Sequence, residues 1–441
     1  MAAPLKVGIA GLGTVGAAVV RQLARERDLL DVRCGRPVEV VAATARSRSK
    51  KRDADLKGIR WAESPAALAA DPGIDVFVEL MGGGGDPALA AVKAALAAGK
   101  SVVTANKALL SHHGPALAAL AEKHGVALNF EAAVGGAIPI VKTLREGLAG
   151  NSFTRVYGIL NGTCNYILTR MEQDNLPFEA CLKEAQRLGY AEADPAFDIE
   201  GHDTAQKLAI VASLAFGVRV NPQAIDVEGI SSLMPEDLEA AAALGYRIKL
   251  LGVAMRTDKG IEQRVHPTMV PRTSPIAQVM GVTNALSIDA AGFEPITLVG
   301  PGAGGAATAS AVVADIGDIA RGVRTAPFGR PAATLLASRK APMQRHEGGY
   351  YIRLLAVDRP GVFAVITKHL AAENISLESI VQRRAGAQPH GGDDPRSPAA
   401  PAPVILITYA TTEDAVRRAL NAIKKQGVIA GQPQVIRIEK N

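Results

Sequence analysis

The sequence predicts an α/β protein in three parts: a doubly wound parallel-sheet domain over residues 1–138, a mixed α+β domain over 139–299, and a C-terminal βαββαβ unit over 349–441. Three observations predict it. Short apolar strand candidates alternate with helical patterns from Leu5 to Phe130, which is the signature of parallel βαβ units. From Phe153 the pattern changes to longer strand candidates mixed with helices. After a Pro-, Gly- and Ser-bearing stretch without period, read as a linker over 326–348, strand and helix patterns resume in the order βαββαβ. At 441 residues the chain exceeds one typical domain.

Composition narrows the function classes. Hydrophobic residues are 48% and charged residues 21%, which places the chain among globular proteins. Cys34, Cys164 and Cys181 are odd in number and lack metal-ligand spacing, so they read as reduced thiols. A formal charge of +6 is spread along the chain and aromatics are only 4%, a pattern that suits small anionic ligands better than nucleic acid. MAAPLKVGIAGLG carries no apolar signal core, and no apolar run approaches membrane-spanning length. The expectation is a cytoplasmic protein with no membrane or nucleic-acid partner.

The first strand, Leu5–Ala10, runs into Gly11-Leu12-Gly13-Thr14-Val15-Gly16 and a helical pattern. This is GxGxxG in the setting its mechanism requires, after a strand and opening a helix, and it marks a Rossmann-type dinucleotide site. Gly11 allows the tight turn, Gly13 lets the backbone approach a pyrophosphate, and Gly16 lets the helix pack on the strand. With Thr14 and Val15 they are the candidate phosphate-loop residues, at a helix N-terminus that attracts anions. The second strand, Val38–Thr44, ends where an NAD site places an acid. Here the run ARSRSKKR follows, so Arg46 is the candidate partner of a 2′-phosphate, and NADP(H) is expected over NAD(H).

A third strand, Asp75–Leu80, leads to Gly82–Gly85 and a helix from Asp86 to Ala98. The fourth, Ser101–Thr104, leads to Ala105-Asn106-Lys107, which puts Lys107 at the carboxyl end of a sheet strand, where ligands bind. A capping Asn beside a surface Lys is the plainer reading of the same residues. A helix from Pro115 to His124 and a strand from Val126 to Phe130 follow. Glu131–Pro139 is a Gly-rich turn that either offers carbonyls to a hard monovalent cation or simply crosses between domains.

In the middle domain, Leu160–Tyr166 offers small polar groups between a strand and a helix. The run Leu188–Leu208 is dense in carboxylates. Asp203 and Lys207 are spaced to share one helix face, with Glu192, Asp194 and Asp198 in the broken loop before them. An isolated pair of this kind is ordinarily surface decoration. Further strands are expected at 249–255, 261–267 and 286–290, with Pro267–Pro271 as a rigid segment. Leu298–Gly305 is a glycine-rich approach to a helix at Ala306–Arg321. This return, over residues 300–325, is expected to complete the first domain beside the cofactor. Within the C-terminal unit, Arg384–Pro403 reads as a surface insertion.

Taken together, GLGTVG at 11–16, TANKALL at 104–110, EAAVGGAIPI at 131–140, LNGTCNYIL at 160–168 and LGYAEADPAFDIEGHDTAQKL at 188–208 resemble the motifs of monofunctional bacterial homoserine dehydrogenases. The resemblance covers nearly the whole chain. DRPGVF at 358–363 resembles the first turn of ACT modules, ferredoxin-like domains that sense amino acids, with Asp358 and Gly361 in the regulatory loop.

The resemblance implies reversible NAD(P)H-dependent reduction of L-aspartate 4-semialdehyde to L-homoserine, and threonine as the effector. It implies Lys207 as proton donor or acceptor with Asp203 as partner. Glu192, Asp198, Lys107, Gly162 and Thr163 are implied at the substrate, and Lys107 and Gly302 at the cofactor. The backbone oxygens of Glu131, Val134, Gly136 and Ile138 are implied at a sodium ion. Where this family more often has Thr or Ser in the third-strand glycine run, this chain has only glycines. By analogy the protein is a homodimer or homotetramer. Two other readings remain: a catalytically silent sensor, and an oxidoreductase acting on another small oxo acid.

The chemistry stands on its own terms. Hydride arriving at an aldehyde carbon leaves negative charge on oxygen, which needs a cation or acid within hydrogen-bond reach. An amino group needs carboxylates, which Glu192 and Asp198 offer.

Overall fold

A computed structural model describes residues 2–337, 347–382 and 401–439. Most of the insertion read at 384–403, and the second half of the linker read at 326–348, lie outside these residues.

The N-terminal strands are β1 (Leu5–Ala10), β2 (Val38–Thr44), β3 (Arg60–Trp61), β4 (Val76–Glu79), β5 (Ser101–Thr104) and β6 (Leu128–Asn129). They form one parallel sheet in the order β3-β2-β1-β4-β5-β6. Helices cover both faces, so the strands are nearly all apolar: Val7, Ile9, Val76, Val78 and Val103 have no exposure. The strand order reverses beside β1, which opens the ligand crevice at the carboxyl ends of β1, β4 and β5.

The helix expected from Pro115 begins earlier, and Lys107–His124 is continuous with Pro115 inside it. Asn106 starts it, its side chain accepting the Leu109 N–H at 3.0 Å. The helix Gly305–Ala320 returns to this domain, and its Ala309, Val312 and Ile316 share an apolar cluster with Val19 and Leu23 of the helix Thr14–Arg25.

The second sheet joins the middle and C-terminal regions. Its strands are β7 (Phe153–Ile159), β8 (Asp226–Val227), β9 (Tyr246–Thr257), β10 (Gly260–Pro271), β11 (Thr283–Ala290), β12 (Phe293–Pro301), β13 (Glu347–Ala356), β14 (Leu377–Gln382), β15 (Ala402–Thr408), β16 (Thr411–Thr412) and β17 (Ile429–Ile438). The main path runs β12-β11-β7-β9-β10-β17-β13-β15-β14. With helices Val362–Ala372 and Glu413–Lys425, the C-terminal unit follows the expected βαββαβ order, with the two-residue β16 added.

Two expectations change. Pro267–Pro271 is not a separate rigid segment but the end of β10, paired with β9 through Pro271↔Tyr246. The first half of the presumed linker is packed rather than extended. Phe328 is 1% exposed, lies 5.2 Å from the Phe130 ring, and fills the space beside Gly114. The Ala332 N–H donates to both carboxylate oxygens of Glu122 at 3.0 Å.

The C-terminal unit is fused to the middle one. Strand β17 runs parallel to β10 at Thr268↔Arg437 and Met269↔Ile438, so the two sheets are one. Beside this seam, fully buried Asp237 accepts the Tyr351 O–H and the Arg353 Nε–H, each at 2.7 Å. Arg264, 2% exposed, pairs with Glu262 on its own strand and with Glu439 at 3.1 Å.

Candidate active site

The glycine turn after β1 is built as its spacing requires. Gly11 has φ +103, and a Cβ there would lie 2.4 Å from the Leu80 carbonyl oxygen. A Cβ on Gly16 would lie 2.0 Å from the Gly11 carbonyl oxygen, so only glycine lets the helix sit this close to the turn. A Cβ on Gly13 would meet nothing within 4 Å. Gly13 caps the helix Thr14–Arg25 without a side-chain hydrogen bond, which leaves the first-turn N–H groups for an anion. These residues fit a dinucleotide pyrophosphate.

The basic run after β2 forms a folded loop. Arg46 is exposed at its start. Arg52 reaches back to the phosphate turn, donating to the Leu12 carbonyl at 3.0 Å, and lies 5.4 Å from the Trp61 ring centre. The contact of Arg52 with Trp61 has no local signal in the sequence.

At the ends of β4 and β5, fully buried Glu79 ties the strands together. It accepts the Met81 N–H at 2.7 Å and the Thr104 hydroxyl at 2.7 Å. Asn106 donates to the Gly83 carbonyl at 2.7 Å, which sets the start of the next helix and so the position of Lys107.

From the middle domain comes the helix His202–Phe216, entered through Gly201 in the left-handed region at φ +84. Asp203 lies in its first turn, where the helix dipole favours a carboxylate. Lys207, one turn on, places Nζ 2.7 Å from Asp203 Oδ2 and 2.7 Å from the Leu160 carbonyl oxygen. Lys107 Nζ approaches the other oxygen, Asp203 Oδ1, at 3.2 Å. One carboxylate therefore joins two ammonium groups from two domains.

Asn161 extends the cluster. Its Nδ2 donates to Asp203 Oδ2 and to Asp198 Oδ1, both at 2.9 Å, while its Oδ1 accepts the Cys164 N–H at 2.8 Å and caps the helix Gly162–Asp174. The Thr163 hydroxyl lies 2.7 Å from the Tyr190 carbonyl oxygen, to which it donates, and 3.3 Å from Asp198 Oδ2. Gly162 has no room for a side chain, since a Cβ would lie 2.7 Å from the Val282 carbonyl oxygen.

The electrostatics separate the two aspartates. Burial pushes the Asp203 carboxyl up, but the charges of Lys207 and Lys107 and the hydrogen bonds from Lys207 and Asn161 outweigh it and hold it down at about 2. Asp198 is raised above the ordinary aspartate value, by burial first and then by the neighbouring Asp203 charge. Burial keeps Cys164 a thiol, donating to the Asp198 carbonyl at 3.2 Å.

The structure thus brings Lys107, Asp198, Thr163, Asp203 and Lys207 together, with Gly162 beside them. It leaves Glu192 exposed, and among the described residues its carboxylate makes no hydrogen bond or ion pair with this cluster. Asn161 was passed over for Gly162 and Thr163, although its position ahead of a helix marked it as a cap.

The loop Glu131–Ile138 lies against the cofactor side. Glu131, Val134 and Ile138 are at most 3% exposed, and Gly136 sits in the left-handed region at φ +58. A Cβ on Gly136 would press on the Gly302 carbonyl at 2.6 Å, and one on Gly302 would strike the Asn284 side chain at 2.0 Å. The Glu131 carboxylate accepts the Val141 and Lys142 N–H groups at 2.9 and 2.8 Å. Backbone donors thus hold the carboxylate, and the neutral main-chain oxygens of this loop suit a hard monovalent cation.

Known proteins are similar to this chain over nearly its whole length. A family model described as "Homoserine dehydrogenase, NAD binding domain" matches residues 11–131, and one described as "Homoserine dehydrogenase" matches 139–316. A homoserine dehydrogenase of Neisseria gonorrhoeae is 42% identical over 445 residues, 99% of each chain. The crystal structure of one from Thiobacillus denitrificans superposes with a TM-score of 0.90 at 42% identity, over 99% of this chain and 98% of that one. A hyperthermophilic archaeal homoserine dehydrogenase in complex with NADPH matches 71% of this chain and 97% of its own, at 26% identity and a TM-score of 0.61. A phosphate-ready glycine turn, a carboxylate shared by two lysines across the crevice, and full-length relatives at this identity lead to one conclusion: the chain belongs to the homoserine dehydrogenase family of oxidoreductases.

Proposed function

We propose that the chain catalyses reversible reduction of L-aspartate 4-semialdehyde to L-homoserine, on the route to threonine and methionine, and uses NADP(H) in preference to NAD(H). The observation that carries this reading is Asp203 held between Lys107 and Lys207 at the domain crevice. Nicotinamide, when bound, supplies or accepts the hydride. An ammonium has three N–H donors, and Lys207 commits two of its own to Asp203 and Leu160. The third is left for the substrate oxygen, giving it a proton in reduction and receiving one in oxidation. Lys107 adds a second positive charge where the alkoxide develops.

Asp198, with Glu192 closing from its exposed loop, receives the substrate ammonium. Backbone N–H groups at Gly162 and Thr163, at the start of their helix, receive its carboxylate. Gly11, Gly13, Thr14, Val15, Gly16, Lys107 and Gly302 hold the cofactor, and exposed Arg46 meets the 2′-phosphate; the NADPH bound to the archaeal relative supports the same choice. The carbonyls of Glu131, Val134, Gly136 and Ile138 hold a sodium ion that braces this loop against Gly302.

The C-terminal unit serves as an ACT domain answering to threonine, with Asp358 and Gly361 in its loop, and the enzyme works as a homodimer or homotetramer in the cytoplasm. No helix among the described residues is long and apolar enough to cross a membrane. The direct test follows nicotinamide absorbance with aspartate semialdehyde and with homoserine, using both cofactors, with and without threonine. Turnover with NADPH and homoserine-specific oxidation are expected; cofactor binding without turnover would overturn the reading.

A further inference from the structure

Lys249 of β9 is 1% exposed, and among the described residues no carboxylate pairs with it. Its ammonium donates instead to neutral acceptors: Asn165 Oδ1 at 2.9 Å, the Val279 carbonyl, and Met280 Sδ at 3.5 Å. Asn165, equally buried, spends its other end on the same turn, donating to the Val279 and Thr283 carbonyls at 3.2 and 3.1 Å. The Gly281 N–H donates to Thr169 Oγ1 at 3.0 Å, so the helix Gly162–Asp174 grips the turn 279–283 at both ends and in the middle. The turn in turn abuts the start of that helix, where a Cβ on Gly162 would lie 2.7 Å from the Val282 carbonyl oxygen. A buried charge therefore stands about one turn behind Gly162 and Thr163. Neutral acceptors only partly offset the cost of burying it, a cost that Met or Leu would not carry.

We infer that Lys249 is a specificity-determining residue, whose buried charge adds to the dipole of the helix Gly162–Asp174 and favours substrates that carry a carboxylate. The inference rests on the proposed seat of the substrate carboxylate at the Gly162 and Thr163 N–H groups. Lys249 does not touch the substrate. It acts through the interior, where weak screening lets a charge be felt across a turn of helix.

The charge is conditional on pH. Burial lowers the Lys249 ammonium most, Arg247 on the same strand lowers it further and Glu172 raises it, which leaves it at about 7. Glu172 is itself paired with Arg247 and Arg272. Strand β10 sets Thr268 opposite Lys249, hydrogen-bonded to His266 at 2.9 Å, and residues 275–282 of the turn carry no ionisable side chain. The attraction is thus present below about pH 7 and is lost above it.

Homoserine oxidation by the full chain with saturating cofactor, followed between about pH 6 and pH 8, tests the inference. Lys249→Gln keeps an amide donor for Asn165 and Val279 and removes the charge. At about pH 6 it should raise the KM for homoserine roughly fivefold, with kcat, the KM for the cofactor and Tm near wild type. The wild-type KM should climb as pH passes through about 7, and that of Lys249→Gln should not. An unchanged KM at low pH, or the same climb in the variant, would overturn the inference, as would parallel losses of Tm and cofactor affinity, which mark a merely structural role. A variant that does not fold leaves the decision to calorimetry of homoserine binding to wild type. Because a bound carboxylate favours the charged form of Lys249, proton uptake at about pH 7.5 is expected, read as a heat that depends on the buffer, and its absence would overturn the inference. Wild type that takes up protons with homoserine but does not oxidise it would support Lys249 and overturn the proposed reaction instead.

Discussion

Asp203 is the residue on which the site turns, because its two oxygens answer to different domains. Its carboxyl is depressed to about 2, and the sign of the linkage follows. The unfolded carboxyl binds protons more readily, so the stabilisation is fully present above its unfolded pKa and fades as pH falls through about 2. A shift of this size corresponds to about 2 kcal/mol. The stability advantage of wild type over Asp203→Asn should therefore shrink between about pH 4 and pH 2, read by urea unfolding. Asp198 has the opposite shift, so the KM for homoserine should begin to rise on acidification at a higher pH than an ordinary aspartate would give.

Lys207→Ala should lower turnover by roughly 10²–10⁴-fold while NADPH affinity, measured by fluorescence titration, stays near wild type. At this scale the sequence was partly legible. Spacing alone put Asp203 and Lys207 on one helix face, but nothing local said that Lys107 would arrive from another domain. Asn161 was hidden for a different reason: it works through both side-chain ends at once, as a cap and as a donor to two aspartates.

Among the elements, the glycine turn was legible at Gly11 and Gly16, because φ and close approach are local requirements that glycine alone meets. The roles give distinct predictions. Gly13→Ala should keep the Tm and raise the KM for NADPH at least tenfold, since its Cβ enters only the space for the phosphates. Gly16→Ala should lower the Tm, because its Cβ collides with backbone that has no room to move. Thermal unfolding and cofactor titration of the two variants separate these outcomes. Prolines misled the reading elsewhere. Pro115 marked a helix start within a helix already begun at Lys107, and Pro267 and Pro271 obscured a strand whose pairing with β9 is set by partners far along the chain.

For the molecule as a whole, strand-and-helix order was legible but the fusion of the two halves was not. Parallel pairing of β17 with β10 is a long-range contact with no local signal. It joins units that composition separated with a linker. Arg353→Met should consequently destabilise the full chain by about 3–5 kcal/mol, because Asp237 stays buried with its ionic partner gone. Chemical denaturation checks this. Ending the chain before β13 is a different perturbation, because water then reaches Asp237. The shortened protein should retain homoserine oxidation while it self-associates through the bared edge of β10, seen by light scattering.

The same seam sets an order of events during synthesis. At ribosomal rates on the order of 5–20 residues per second, β10 emerges roughly 10–30 s before the strand that covers it. Throughout that interval the edge of the sheet beneath the helix His202–Phe216 is open to other nascent chains. The last strand to be made is the one that closes it.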